Sequence, residues 1–140
     1  MQAKSCLTLK NYIVKTMNFS INPNFNFGEN KAININPEFK REINKIDANT
    51  ATVNLSFRIS DEENDMPFYM KIDIEGLFHL ENWEQPEYLP LMTSNTVAIL
   101  FPYLRTLVSM MTANANISPY VLPVMNITAL FDQNSDEEKK

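Results

Sequence analysis

ATVNLSFRIS, residues 51–60, alternates without interruption: Ala51, Val53, Leu55, Phe57 and Ile59 against Thr52, Asn54, Ser56, Arg58 and Ser60. Successive side chains of an extended strand point to opposite faces, so this stretch is a strand with one apolar and one polar side. Its β-branched and aromatic residues suit a pleated, half-buried surface. Working outward, the acidic run Asp61, Glu62, Glu63 and Asp65 reads as a solvated hairpin turn, since it lacks the glycine and terminal glutamate of a calcium loop. Beyond it Phe68, Met70, Ile72 and Ile74 alternate with Tyr69, Lys71, Asp73 and Glu75. Upstream, residues 31–46 set Ile33, Ile35, Phe39 and Ile43 against Asn34, Asn36, Glu38, Lys40 and Glu42, with Pro37 predicting an edge position or a bulge. Further upstream Ile13, Met17, Phe19 and Ile21 are expected to share one face, interrupted by Lys15. Short connections favour antiparallel neighbours, so the strands predict a four-stranded antiparallel meander with one covered face.

After Trp83, Pro86 and Pro90 the period changes. Val97, Leu100, Phe101, Leu104, Leu107, Val108 and Met111 recur at helical spacing, with Thr93, Ser94 or Asn95 available as N-cap. Pro102 falls inside this pattern and predicts a kink, because it removes an amide donor and crowds the preceding turn. Residues 114–125 read as loop around Pro119 and Pro123, and Asn126 as the cap of a short C-terminal helix through Ile127, Ala129, Leu130 and Phe131. All strands precede all helices, an α+β arrangement with helices on one face of an antiparallel sheet. One domain is expected over residues 1–133, followed by a charged, disordered tail at 134–140. A single long helix leaves much of such a sheet's apolar face bare, which predicts self-association.

Composition narrows the function. With 140 residues and a net charge of -5, the chain has scattered cations and no basic face for nucleic acid. Cys6 is the single cysteine, which excludes an internal disulfide and fits a reducing compartment. No signal-peptide core precedes the first strand, and no run of about 20 apolar residues is visible, so a cytoplasmic protein without membrane insertion is expected. His79, the single histidine, sits on a polar strand face with no identifiable partner, and no catalytic constellation or metal site emerges, so no enzymatic activity is expected. Met110, Met111 and Met125 flank a loop containing Ile117 and Tyr120. Methionine adapts to many shapes, so these residues are either ordinary core or a soft groove for extended peptide.

Two stretches carry a family resemblance. Leu100-Phe101-Pro102-Tyr103-Leu104-Arg105 looks like the LFPYAR element of the SecB export chaperones, internal proline included, and Pro119, Leu122, Pro123, Asn126, Ala129, Leu130 and Phe131 are similar to that family's helix-connecting pattern. Weaker similarity extends through Pro37, Glu38, Phe39 and Lys40 and through Gly76 and Phe78, spanning about Tyr12 to Phe131. The resemblance implies a homotetramer, a dimer of dimers, that holds unfolded client polypeptides along hydrophobic grooves in protein export, with no cofactor and no ATP hydrolysis. It implies peptide-binding roles for Phe39, Ile43, Phe68, Met70 and Ile72, which together with Tyr120 and Met125 form the candidate site; burial in the sheet core is the alternative for each. One departure stands out. Where the family carries acidic side chains that dock the SecA motor, this chain has Thr16, Ser20 and Lys71, and Lys71 reverses the charge. That departure favours, as an alternative, a dedicated SecB-like chaperone for one partner, such as an antitoxin.

Overall fold

The computed structural model describes residues 7–28, 35–60, 66–123 and 131. Four strands, β1 (Thr8–Ile21), β2 (Glu38–Asp47), β3 (Thr50–Ile59) and β4 (Phe68–His79), precede one helix, α1 (Thr96–Asn114). The alternation that marked β3 becomes burial: Ala51, Val53, Leu55, Phe57 and Ile59 are all sealed, as are Phe68, Met70, Ile72, Ile74 and Phe78 of β4. The sheet is antiparallel, and its order is β1-β4-β3-β2.

That order corrects the simple meander. Only β2, β3 and β4 run as consecutive neighbours; β1 lies beyond β4, a Greek-key-like arrangement. The β1–β2 connection, residues 22–37, is long enough to cross, and Asn22 pins its start to the head of β4. The Asn22 side-chain amide donates to the Met66 carbonyl at 2.8 Å and its backbone amide to the Pro67 carbonyl at 3.0 Å. Pro37 stands just before β2, an edge strand, where its missing donor costs no ladder bond. The sequence expectation that the second strand starts near Lys31 is corrected at Ile35–Pro37, which precede the ladder; residues 31–34 lie outside the described residues.

A second correction concerns Ile13. Register shifts between Leu9 and Asn11 and between Val14 and Thr16 interrupt the β1 ladder. A bulge inserts one residue and flips every side chain beyond it. The side facing α1 therefore carries Leu9, Tyr12, Val14, Met17, Phe19 and Ile21, while Ile13 opposes Glu75 on the other face and is 59% exposed.

The helix begins earlier than capping signals suggest. A π-helical turn, Leu91–Asn95, leads directly into α1, and Asn95 has helical dihedrals with no side-chain cap. Thr93 and Thr96 instead turn their hydroxyls back to the carbonyls of Leu89 and Met92. Pro102 is exposed within α1 and does not end it. The C-terminus closes with Asn116 in the left-handed region (φ 62°), its amide bonded to Ala113 and that of Ile117 to Thr112. This is a Schellman ending, in which a left-handed residue satisfies carbonyls that the helix itself leaves open.

Through its π turn the helix spans Leu91–Asn114, long and apolar enough to cross a membrane by length and composition, which corrects the expectation that no such run exists. Its position is that of a core helix: Val97, Leu100, Phe101, Leu104 and Val108 are buried, with α1 lying mainly over β4 and β3. Gly76 allows the approach. A Cβ there would stand 2.6 Å from the Phe78 ring and 3.0 Å from Leu100 Cδ2.

Candidate functional site

Beyond α1 the chain turns and runs back along the helix in extended form. Ser109 Oγ donates to the Tyr120 carbonyl at 3.1 Å, and the Tyr120 amide donates to Thr112 Oγ1 at 2.9 Å. Arg105 reaches the next carbonyls, Nε to Leu122 at 3.2 Å and Nη2 to Pro123 at 3.4 Å. Arg105, Ser109 and Thr112 are spaced four and three apart, so they form one stripe on α1. This stripe holds an extended backbone through its amide and carbonyl groups, independent of side-chain identity, while Leu122 is buried at 1% exposure. Side chains on a helix thus hold a segment with no sheet ladder of its own.

Aromatic rings floor the same region. Phe68 lies 6.1 Å from Tyr120 and 5.6 Å from Phe19, measured between centroids. Tyr120 is half-buried, and burial pushes its phenol above the usual tyrosine value. On the β2 side Phe39 meets Phe57 at 5.4 Å and Phe101 at 5.9 Å, and the Arg105 guanidinium sits 5.5 Å over Phe101. Arg41, between Phe39 and Ile43 on β2, donates to the Thr93 carbonyl at 2.5 Å and lies 4.8 Å over the Phe131 ring. A cation over an aromatic face fixes Phe131 against the sheet.

The sequence candidates divide into two groups. Phe68, Met70 and Ile72 lie on β4, with Phe68 against Tyr120 of the returning segment, and Phe39 and Ile43 lie on β2, separated from them by β3. Phe39, Phe68, Met70 and Ile72 are buried within the subunit; Ile43 and Tyr120 are half-buried. Met125 and the short C-terminal helix, apart from Phe131, lie outside the described residues, as do Cys6 and the acidic run 61–65.

The apolar surface expected to stay bare takes the form of an exposed band along β1. Tyr12 (40% exposed), Met17 (51%) and Ile21 (37%) face the helix side of β1, where α1, lying mainly over β4 and β3, reaches only in part. Tyr12 stacks on Tyr103 of α1 at 4.4 Å, and Met110 and Val121 are also exposed. Alternation had marked Met17 and Ile21 of this band but not Tyr12, which the register places on the same face. Among the described residues, no three His, Cys, Asp or Glu side chains are placed to hold a metal ion.

The model of the preprotein translocase subunit SecB family matches residues 1–138. The chain belongs to the SecB family. A protein of Methanocaldococcus jannaschii, itself uncharacterised, is 31% identical over 139 residues, covering 98% of this chain and 89% of that protein. The protein-export protein SecB of Azoarcus is 30% identical, over 76% of this chain and 72% of its own length, and that of Bartonella bacilliformis 28%, over 58% and 51%. Among solved structures, a SecB-like chaperone of Mycobacterium tuberculosis, in complex with a peptide from the HigA1 antitoxin, superposes with a TM-score of 0.66 at 14% identity, covering 85% of this chain and 90% of that one. The SecB-like hexapeptide Leu100–Arg105 now has a structural meaning: Leu100, Phe101 and Leu104 anchor the helix, Pro102 and Tyr103 face outward, and Arg105 holds the returning segment.

Proposed function

We propose that this chain is a cytoplasmic chaperone that holds unfolded polypeptides and serves protein export. The observation that carries this reading is the family match over residues 1–138 joined to the open apolar band of Tyr12, Met17, Ile21 and Met110. Apolar surface of this extent on a small subunit serves other chains. Part of it belongs to sister subunits: among the described residues the outer side of β1 is a sheet edge, and a homotetramer built as a dimer of dimers covers it. The remainder, with the residues around Phe68, Tyr120, Phe39, Ile43, Met70, Ile72 and Met125, binds clients. Four of these, Phe39, Phe68, Met70 and Ile72, are sealed in the isolated subunit, so client contact there requires the elements packed over them to move. Several weak apolar sites on one assembly raise avidity without demanding a particular client sequence. No step calls for a cofactor, and the reading is non-enzymatic.

The test is suppression of aggregation of a chemically unfolded client, read by light scattering, with native mass spectrometry of the chaperone alone. Suppression by an oligomer supports the reading; a strict monomer that leaves aggregation unchanged overturns it. A second reading is a dedicated chaperone of one partner, such as an antitoxin. Thr16, Ser20 and Lys71 favour it, since they offer the SecA motor no acidic docking patch. Affinity purification from native cells separates the two: one stoichiometric partner supports the second, a heterogeneous client set the first.

A further inference from the structure

The sheet face turned away from α1 holds a shallow cavity of about 170 Å³. Its polar lining comes from Asn18 and Ser20 of β1, Arg58 and the adjacent Ser60 at the end of β3, and Tyr69 and Lys71 of β4. Arg58 and Lys71 are direct cross-strand partners, and Lys71 faces Asn18 on its other side. Two like charges facing each other destabilise a ladder unless something of opposite sign lies between them. Among the described residues, no carboxylate lines the cavity. Glu38 is the β2 neighbour of Arg58, and Asp73 feels the charge of Lys71 but is already held by Ser56, Thr16 and Asn54. The ion pairs Lys15–Glu75 and Lys45–Glu84 lie elsewhere.

We propose that this cavity is a recognition site for an acidic peptide segment, an Asp or Glu carboxylate seating between Arg58 and Lys71. Its oxygens accept charge-assisted hydrogen bonds from both cations and from the hydroxyl and amide groups around them. The strand backbones fix where the two cations start, while Arg58 and Lys71 themselves are exposed and order their side chains on binding. The cavity is smaller than the roughly 300–1,000 Å³ that encloses a nucleotide-sized ligand. The net charge of -5 repels a long polyanion, so nucleic acid is disfavoured while a short segment with a few carboxylates is not. The site lies opposite the apolar band and does not rest on the client-holding reading.

The test is fluorescence anisotropy of a labelled hexaglutamate peptide at low salt, with hexalysine and inorganic phosphate as comparators. Hexaglutamate binds, and added salt weakens it. Arg58→Gln and Lys71→Gln each lower the affinity about tenfold, as expected for one charge-assisted hydrogen bond. Asn44→Ala, on the same face of β2, leaves binding unchanged, and both cation variants keep their circular dichroism and their suppression of client aggregation. Absence of hexaglutamate binding, binding insensitive to both cation variants, or equal competition by inorganic phosphate overturns the proposal. Binding that emerges only after Asp61→Asn, Glu62→Gln and Glu63→Gln assigns the cavity to the chain's own β3–β4 connection and likewise overturns an external partner.

Discussion

Gly76 has no side chain, and that is its contribution. A methyl group there meets the buried Phe78 ring and the Leu100 side chain of α1, neither of which has room to withdraw. Gly76→Ala is expected to destabilise by about 1–3 kcal/mol through overpacking. Urea unfolding followed by Trp83, the single tryptophan and 7% exposed, measures it. Asp73, on the opposite face, is governed by charge. Partial burial pushes its carboxyl up, but hydrogen bonds from Ser56, Thr16 and Asn54 and the charge of Lys71 outweigh this and hold it below its ordinary value of 3.8. With the folded value depressed, the unfolded chain takes the proton first. The contribution to stability is therefore present above pH 3.8 and is lost as pH falls through the folded value. Urea midpoints at about pH 5 and about pH 3 should differ less in Ser56→Ala than in the unaltered chain.

At the scale of elements, the returning segment depends on three α1 side chains and on no strand partner. Arg105→Ala removes two hydrogen bonds and the cation above Phe101. A cost of about 1–3 kcal/mol is expected, with amide exchange accelerating at Tyr120, whose amide is bonded to α1, while the β3 and β4 amides stay protected. Global acceleration would show instead that the segment unfolds only with the sheet. The strands themselves were legible in the sequence. β3 and β4 follow their alternation residue by residue, because a half-buried antiparallel strand writes its environment into a period of two. β1 was misread at Ile13, since a bulge shifts register without altering composition. The start of the helix was missed for a related reason: Thr93 and Asn95 are good caps in isolation, but once Pro90 and Leu91 are already helical Thr93 bonds to a carbonyl one turn back and Asn95 lies inside the helix with no capping bond.

For the whole molecule, the question is what covers β1. The helix has one apolar stripe and lies mainly over β4 and β3, touching β1 through the Tyr12–Tyr103 stack, so among the described residues Met17 and Ile21 stay largely exposed. If the proposed oligomer forms through β1, Met17→Glu with Ile21→Glu shifts it to smaller species in native mass spectrometry. The helical circular dichroism should persist, because the buried stripe of α1 is untouched. An unchanged mass would show that subunits associate through another face. Of the candidate client-binding residues, the apolar character and the shared face were readable beforehand. Their division into a β4 group and a β2 group was not, because it follows from the insertion of β3 between them.

The amino-acid sequence by itself determined the α+β class, the four strands, the amphipathic helix and the apolar face they share, because each is a local period that any chain of these residues carries wherever it lies. Tertiary structure alone decided that β1 pairs with β4, that Ile13 turns outward, that Arg58 and Lys71 share a cavity, and that Arg105, Ser109 and Thr112 hold an extended backbone. The physical reason is distance along the chain: such contacts join residues far apart in sequence, and their energies depend on packing that no local pattern records.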